Sequence, residues 1–220
     1  RKLDGSAEEL IFDEVAAAAG LDYFRLGAIA VSPDHKLIAT LVDDDGSERF
    51  KLRIRDLATG ADIETVSDVA IGQPVWASDS KAILFTEVNE HWRSDKVKLH
   101  RLGDDPAQAR ILYEEVEDKG FSVHLDRSQD RQLIFISTGD NTSSEVRFLP
   151  AANPAAEPML IARRRANVEY HCDAAHGRLW IDTNDEHINF RLVSATLEAP
   201  GEWREEIAGS DRTYLRGASA

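Results

Sequence analysis

The sequence predicts an all-β fold, a β-propeller of about four blades with four antiparallel strands each, and two observations carry that prediction. The first is a recurring stretch in which a polar turn precedes a short apolar run: Val31-Ser32-Pro33-Asp34-His35-Lys36-Leu37-Ile38-Ala39-Thr40-Leu41-Val42. Its grammar returns at Trp76 to Phe85, at Asp126 to Ile136 and at Asp173 to Ile181. The second is a matching anchor further along each copy, whose closing leucines Leu57, Leu102, Leu149 and Leu197 fall 45, 47 and 48 residues apart. A period near 45 residues built from apolar runs too short for helices is the mark of a propeller blade rather than of a helical repeat.

A lead-in over residues 1–27 precedes the repeats. Within it Leu10-Ile11-Phe12 reads as a short strand, and Asp13 to Gly20 reads as a short helix. Asp13 can cap that helix, the alanines favour it and Gly20 stops it. Blades are then expected over about 28–70, 71–118, 119–163 and 164–208. Blade one uses Ala28 to Val31, Leu37 to Val42, Phe50 to Leu57 and Ile63 to Val66. Its third strand alternates, with Phe50, Leu52 and Ile54 on one side and Lys51, Arg53 and Arg55 on the other, so one face is apolar. Gly60 supplies the positive φ of the turn that follows.

Blade two uses Pro74 to Trp76, Ala82 to Val88, Val97 to Leu102 and Arg110 to Tyr113. Blade three uses Phe121 to Leu125, Leu133 to Thr138, Glu145 to Leu149 and Met159 to Ile161. Blade four uses Val168 to Cys172, Leu179 to Thr183, Phe190 to Ala195 and Trp203 to Ile207, and the tail from Ala208 lacks a complete strand pattern. Four blades can close a ring, whereas part of a larger propeller leaves blade edges open.

The 26 basic and 40 acidic side chains give a formal charge of −14. A surface of that sign repels nucleic acid and anionic lipid, favours cationic partners and in any case aids solubility. One cysteine forms no intrachain disulfide and no CxxC site, which points to a reducing compartment, the cytoplasm. The chain opens on Arg1 rather than Met, so a removed leader and a periplasmic location stay open. No stretch approaches the roughly 18 apolar residues of a membrane span.

Several runs, taken together, resemble a known family. They are Leu26-Gly27, Val31 to Asp34, Asp43 to Phe50, Leu52 to Gly60, Val75-Trp76-Ala77, His100 to Gly103, Tyr113-Glu114-Glu115, Thr142 to Arg147, Val168-Glu169-Tyr170, Thr183-Asn184 and Asn189 to Val193. In order and spacing, from about Leu10 to Ile207, they resemble the N-terminal propeller of the oligopeptidase B group in the prolyl oligopeptidase family of serine peptidases. The sequence departs from that pattern at Gln73-Pro74, Ser78 to Ser80 and Ala162 to Ala166. The resemblance implies part of a seven-bladed propeller that caps an α/β-hydrolase domain, its expected partner, and admits short peptides for cleavage after Lys or Arg. It implies cationic peptides as substrates of the longer protein, with the catalytic residues in the hydrolase domain. A stand-alone propeller scaffold without enzymatic activity is the competing reading.

Within these 220 residues no catalytic, cofactor-binding or metal-binding residue is assigned, and no triad. Gly120-Phe121-Ser122-Val123-His124 approaches a nucleophile elbow but lacks its last glycine and runs into a strand. His171, Cys172, Asp173 and His176 cluster in sequence, yet neighbours on a strand face opposite ways, so a buried thiol and surface histidines are expected. Asp43 to Glu48 lacks the spacing of a calcium loop and reads as a solvated hairpin turn. Arg163-Arg164-Arg165, the one basic cluster, reads as solvated, with an acidic partner domain as the other possibility. Trp76 and Trp180 are expected in the core, and Trp92 as an exposed contact.

Overall fold

The structure, a computed structural model, describes residues 10–217. Its fifteen strands lie in three antiparallel sheets. The first blade comprises β1 (Arg25–Val31), β2 (Leu37–Asp43), β3 (Phe50–Asp56) and the first part of β4 (Asp62–Trp76). The rest of β4, with β5 (Ala82–Val88), β6 (Ser94–Arg101) and β7 (Arg110–Glu114), forms the second. The third is β8 (Ser122–Arg127), β9 (Leu133–Gly139), β10 (Ser144–Pro150) and β11 (Met159–Ala162). The fourth is β12 (Tyr170–Ala175), β13 (Arg178–Thr183), β14 (Arg191–Thr196) and β15 (Arg204–Ile207).

The recurring polar turn has a concrete structural basis. In blade one the Ser32 hydroxyl accepts the Leu37 amide at 2.9 Å and donates to Asp34 at 2.7 Å. Blade three repeats both bonds with Ser128, Leu133 and Asp130, at 2.9 and 2.7 Å. All four turns hold a non-glycine residue at positive φ, His35, Ser80, Arg131 and His176, the last followed by Gly177 at φ +73. A hairpin of this kind needs one left-handed residue to match the twist of its strands.

Three apolar clusters make the core, each between neighbouring blades. Leu41, Leu52, Ile54, Trp76 and Phe85 join blades one and two. Leu84, Val97, Leu125, Ile136 and Leu149 join two and three, and Phe135, Phe148, Leu179, Ile181 and Val193 join three and four. Each fully buried side chain of this size contributes roughly 1.5–3 kcal/mol, so the apolar alternation along the strands is what sets the blades face to face.

Three expectations are corrected. Leu10 to Phe12 form no strand; Phe12 instead lies under the Arg55 guanidinium, 5.0 Å from its ring centroid. The strands at Ile63 to Val66 and Pro74 to Trp76 are one continuous strand, β4, which fuses blades one and two into a seven-stranded sheet. Gly72, at φ +74, and Pro74 sit in a bulge between the Ile71 and Val75 pairs, so both are absorbed without ending the strand. Trp76 is buried as expected, but Trp180 is only half-buried, on the Asp173 and Ser194 rungs of its sheet.

The expected helix is the single turn α1 (Glu14–Ala17), capped by the Asp13 carboxylate accepting the Ala16 amide at 3.0 Å. Among the described residues no helix is long and apolar enough to cross a membrane.

Candidate functional site: the inner wall and its links

The antiparallel meander puts the first strand of each blade innermost, beside the ring axis, as propellers do. Those inner strands are β1, the second part of β4, β8 and β12. Turns between second and third strands lie at one end of the ring, together with the links that carry the chain from one blade to the next. The serine and aspartate turns lie at the other end.

Inner strands one and two are stitched together. The Trp76 indole N–H donates to the Ala30 carbonyl at 2.9 Å, and the Gln73 amide donates to that of Ile29 at 2.9 Å. Arg127, the last residue of β8, donates to the Trp76 carbonyl at 3.2 Å. Between β8 and β12 the wall instead holds a polar cleft of about 350 Å³, lined by Asp126, Arg127, Gln129, His171, Asp173 and Asp182 among others. At the serine and aspartate end the Gln129 amide donates to Asp173 at 2.9 Å. His171 lies 3.0 Å from Asp182, and that hydrogen bond holds its pKa above the usual imidazole range.

At the link end sits a charged cluster that the basic run did not reveal. Contrary to the solvated reading, Arg164 is largely buried: its guanidinium meets Glu115 at 2.5 Å, lies 3.5 Å from Glu145 and covers the Phe121 ring. The Glu115 side chain is 1% exposed. Its carboxylate also accepts the Glu117 and Asp118 amides at 2.9 Å each and the Tyr113 hydroxyl at 2.8 Å. Burial would push the Glu115 carboxyl up, but the bonds from Arg164, the Asp118 amide and Tyr113 outweigh it and bring it to about 2. A buried carboxylate requires a cation, and Arg164 supplies it to Glu115, while Glu145 has Arg147 as its nearer partner at 2.5 Å. Arg165 reaches Asp185 at 3.4 Å, while Arg163 is exposed.

The remaining candidates resolve simply. Ser122 opens β8 rather than a strand-to-helix elbow. Burial, then Asp173 and Asp182, pushes the half-buried Cys172 thiol up, which suits an inert cysteine. Asp43 is buried and caps its own loop, accepting the amides of Asp45, Gly46 and Glu48 at 3.1, 2.8 and 2.8 Å. Asp44 is spent on Lys51 and Arg53. Trp92 is exposed at the tip of the β5–β6 turn, stacked under Arg49 with 5.2 Å from guanidinium to ring centroid.

The chain is 33% identical over 218 residues to dipeptidyl aminopeptidase BI of Pseudoxanthomonas mexicana, covering 97% of this chain and 30% of that protein. It is 30% identical over 216 residues to protease 2 of Moraxella lacunata, with 97% and 31% covered. Among solved structures it resembles oligopeptidase B from Trypanosoma brucei, described as a closed form with covalently bound antipain, at a TM-score of 0.83 and 25% identity, covering 96% of this chain and 30% of that one. The chain thus spans less than a third of the length of the relatives it matches. All of it, residues 1–220, matches the family described as the prolyl oligopeptidase N-terminal β-propeller domain. With strands, blades and inner wall as described, the chain belongs to that family.

Proposed function

We propose that this chain is the substrate-gating propeller portion of an oligopeptidase B-like serine peptidase. The longer protein hydrolyses short peptides after Lys or Arg in an α/β-hydrolase domain that these residues cap. The observation that carries the reading is the match of the entire chain to the propeller domain of a peptidase family, over less than a third of its relatives' length. The net charge of −14 supports cationic peptides as substrates, because an acidic surface concentrates them near the channel. A cytoplasmic location is part of the same proposal, supported by the single cysteine.

The test is to purify the full-length polypeptide that carries this chain, alongside the 220 residues alone, and assay both with fluorogenic peptides ending in Lys, Arg or Pro. Cleavage after Lys or Arg by the full polypeptide, with none by the 220 residues, is expected. Cleavage only after Pro removes the proposed specificity. A native polypeptide no larger than the 220-residue chain overturns the peptidase reading.

A further inference from the structure

We propose that the Glu115–Arg164 pair sets how far the inner wall stands open between blades three and four, and so limits the length of peptide admitted. The inference rests on the gating role proposed above. Glu115 begins the link 115–121 that feeds β8, and Arg164 lies in the link 163–169 that feeds β12. Their bond at 2.5 Å therefore ties together the two segments that suspend neighbouring inner strands. The strands it suspends are edge strands, each paired in its own sheet on one side only, β8 with β9 and β12 with β13. The cleft of about 350 Å³ lies toward the serine and aspartate end of these strands, beside the Gln129 backbone amide bond to Asp173 and at the opposite end from the pair.

Nothing comparable is needed at the seam of blades one and two, where β4 is shared and Trp76 and Gln73 bridge to β1. The tie also orders the first link itself. The carboxylate that meets Arg164 holds the Glu117 and Asp118 amides, and Arg93 grips the other end through the Asp118 and Phe121 carbonyls at 3.2 and 2.6 Å. Without Arg164 the Glu115 carboxylate is left charged in a buried site, and the low-cost response is for its link to swing out to water. That swing moves the start of β8 away from β12 and widens the wall at the link end.

The experiment compares the full-length polypeptide with its Arg164→Met variant on two peptides that share one cleavage sequence, one short and one several times longer. Arg163→Met, at the exposed neighbour, is the control. The expected result is a rise of about tenfold in kcat/KM for the long peptide relative to the short one, with faster hydrogen exchange in 115–121 and 163–169. The control leaves the ratio unchanged. Should Arg164→Met fail to fold, the double variant Glu115→Gln/Arg164→Met removes the tie without stranding a charge and is expected to show the same rise. An unchanged ratio in a folded variant that still cleaves the short peptide overturns the inference and leaves the gating reading standing. A wild-type polypeptide that cleaves neither peptide overturns both.

Discussion

Tyr170→Phe removes one oxygen from the seam of blades three and four and isolates what that oxygen holds. The Tyr170 hydroxyl accepts the Val146 amide at 2.8 Å and the Ala162 amide at 3.3 Å, and donates to the Ala162 carbonyl at 2.6 Å. It does so where the β10–β11 register slips, between the Val146–Ala162 and Arg147–Leu160 pairs, so it occupies the bulge that would otherwise leave these groups unpaired. The ring is 2% exposed and packs edge-on against Trp203 with centroids 5.5 Å apart, and phenylalanine keeps that packing. Stranding two buried amides costs about 1–3 kcal/mol each, less for the longer 3.3 Å bond, so about 3 kcal/mol is expected for the local opening of β10 and β11. That corresponds to roughly hundredfold faster exchange of the amides in this segment, read by hydrogen exchange and mass spectrometry. Exchange accelerated less than about fivefold, equivalent to about 1 kcal/mol, would refute the reasoning, because the bulge would then satisfy its own backbone.

Three further outcomes follow from the same contacts. A Cβ on Gly27 would stand 2.5 Å from the Phe50 ring, so Gly27→Ala is expected to cost about 1–3 kcal/mol in thermal unfolding, and Phe50→Leu to recover part of it in the double variant. Equal stability of both variants would show the ring moving aside freely. Glu115 carries a folded pKa of about 2 against an ordinary 4.5, so its stabilisation is complete above pH 4.5 and lost as pH falls toward 2. Acid unfolding followed by tryptophan fluorescence should therefore be less steep across that window in Glu115→Gln; an unchanged slope would move the acid sensitivity to other carboxylates. Cys172, its thiol pushed up by burial and by Asp173 and Asp182, should resist alkylation at pH 8 in the native protein and react fully once unfolded. Rapid native labelling would contradict its placement.

The blades were legible because their signals are local. Ser32, Pro33, Asp34 and His35 declare a turn, the apolar run behind them declares a strand, and the same chemistry recurs at Ser128 to Arg131. The continuity of β4 was not legible, because Gly72-Gln73-Pro74 carries every mark of a break. Only the pairing of Ile71 with Thr86 and Val75 with Leu84 shows the three residues bulging from an unbroken strand. Arg164 was missed for a different reason. Its partner Glu115 lies 49 residues upstream, and three consecutive arginines look solvated until the fold places two buried carboxylates beside the middle one. The inner wall suffered likewise: Asp126, His171 and Asp173 face one cleft only once two blades are packed together.

These differences make the described part of the ring mechanically uneven. Blades one and two share a strand, and covalent continuity across a fifteen-residue strand resists separation more strongly than side-chain packing does. Blades two, three and four meet through apolar clusters and polar ties, each of which opens at a cost of a few kcal/mol. Any widening of the inner wall within these residues falls on the side of β8 and β12, with the cleft toward the serine and aspartate end and Glu115 and Arg164 crossing from one link to the other at the opposite end. On the gating role proposed above, a pore that admits peptides by size would benefit from this division, with the fused pair fixing one wall and the tied pair setting how far the other stands away.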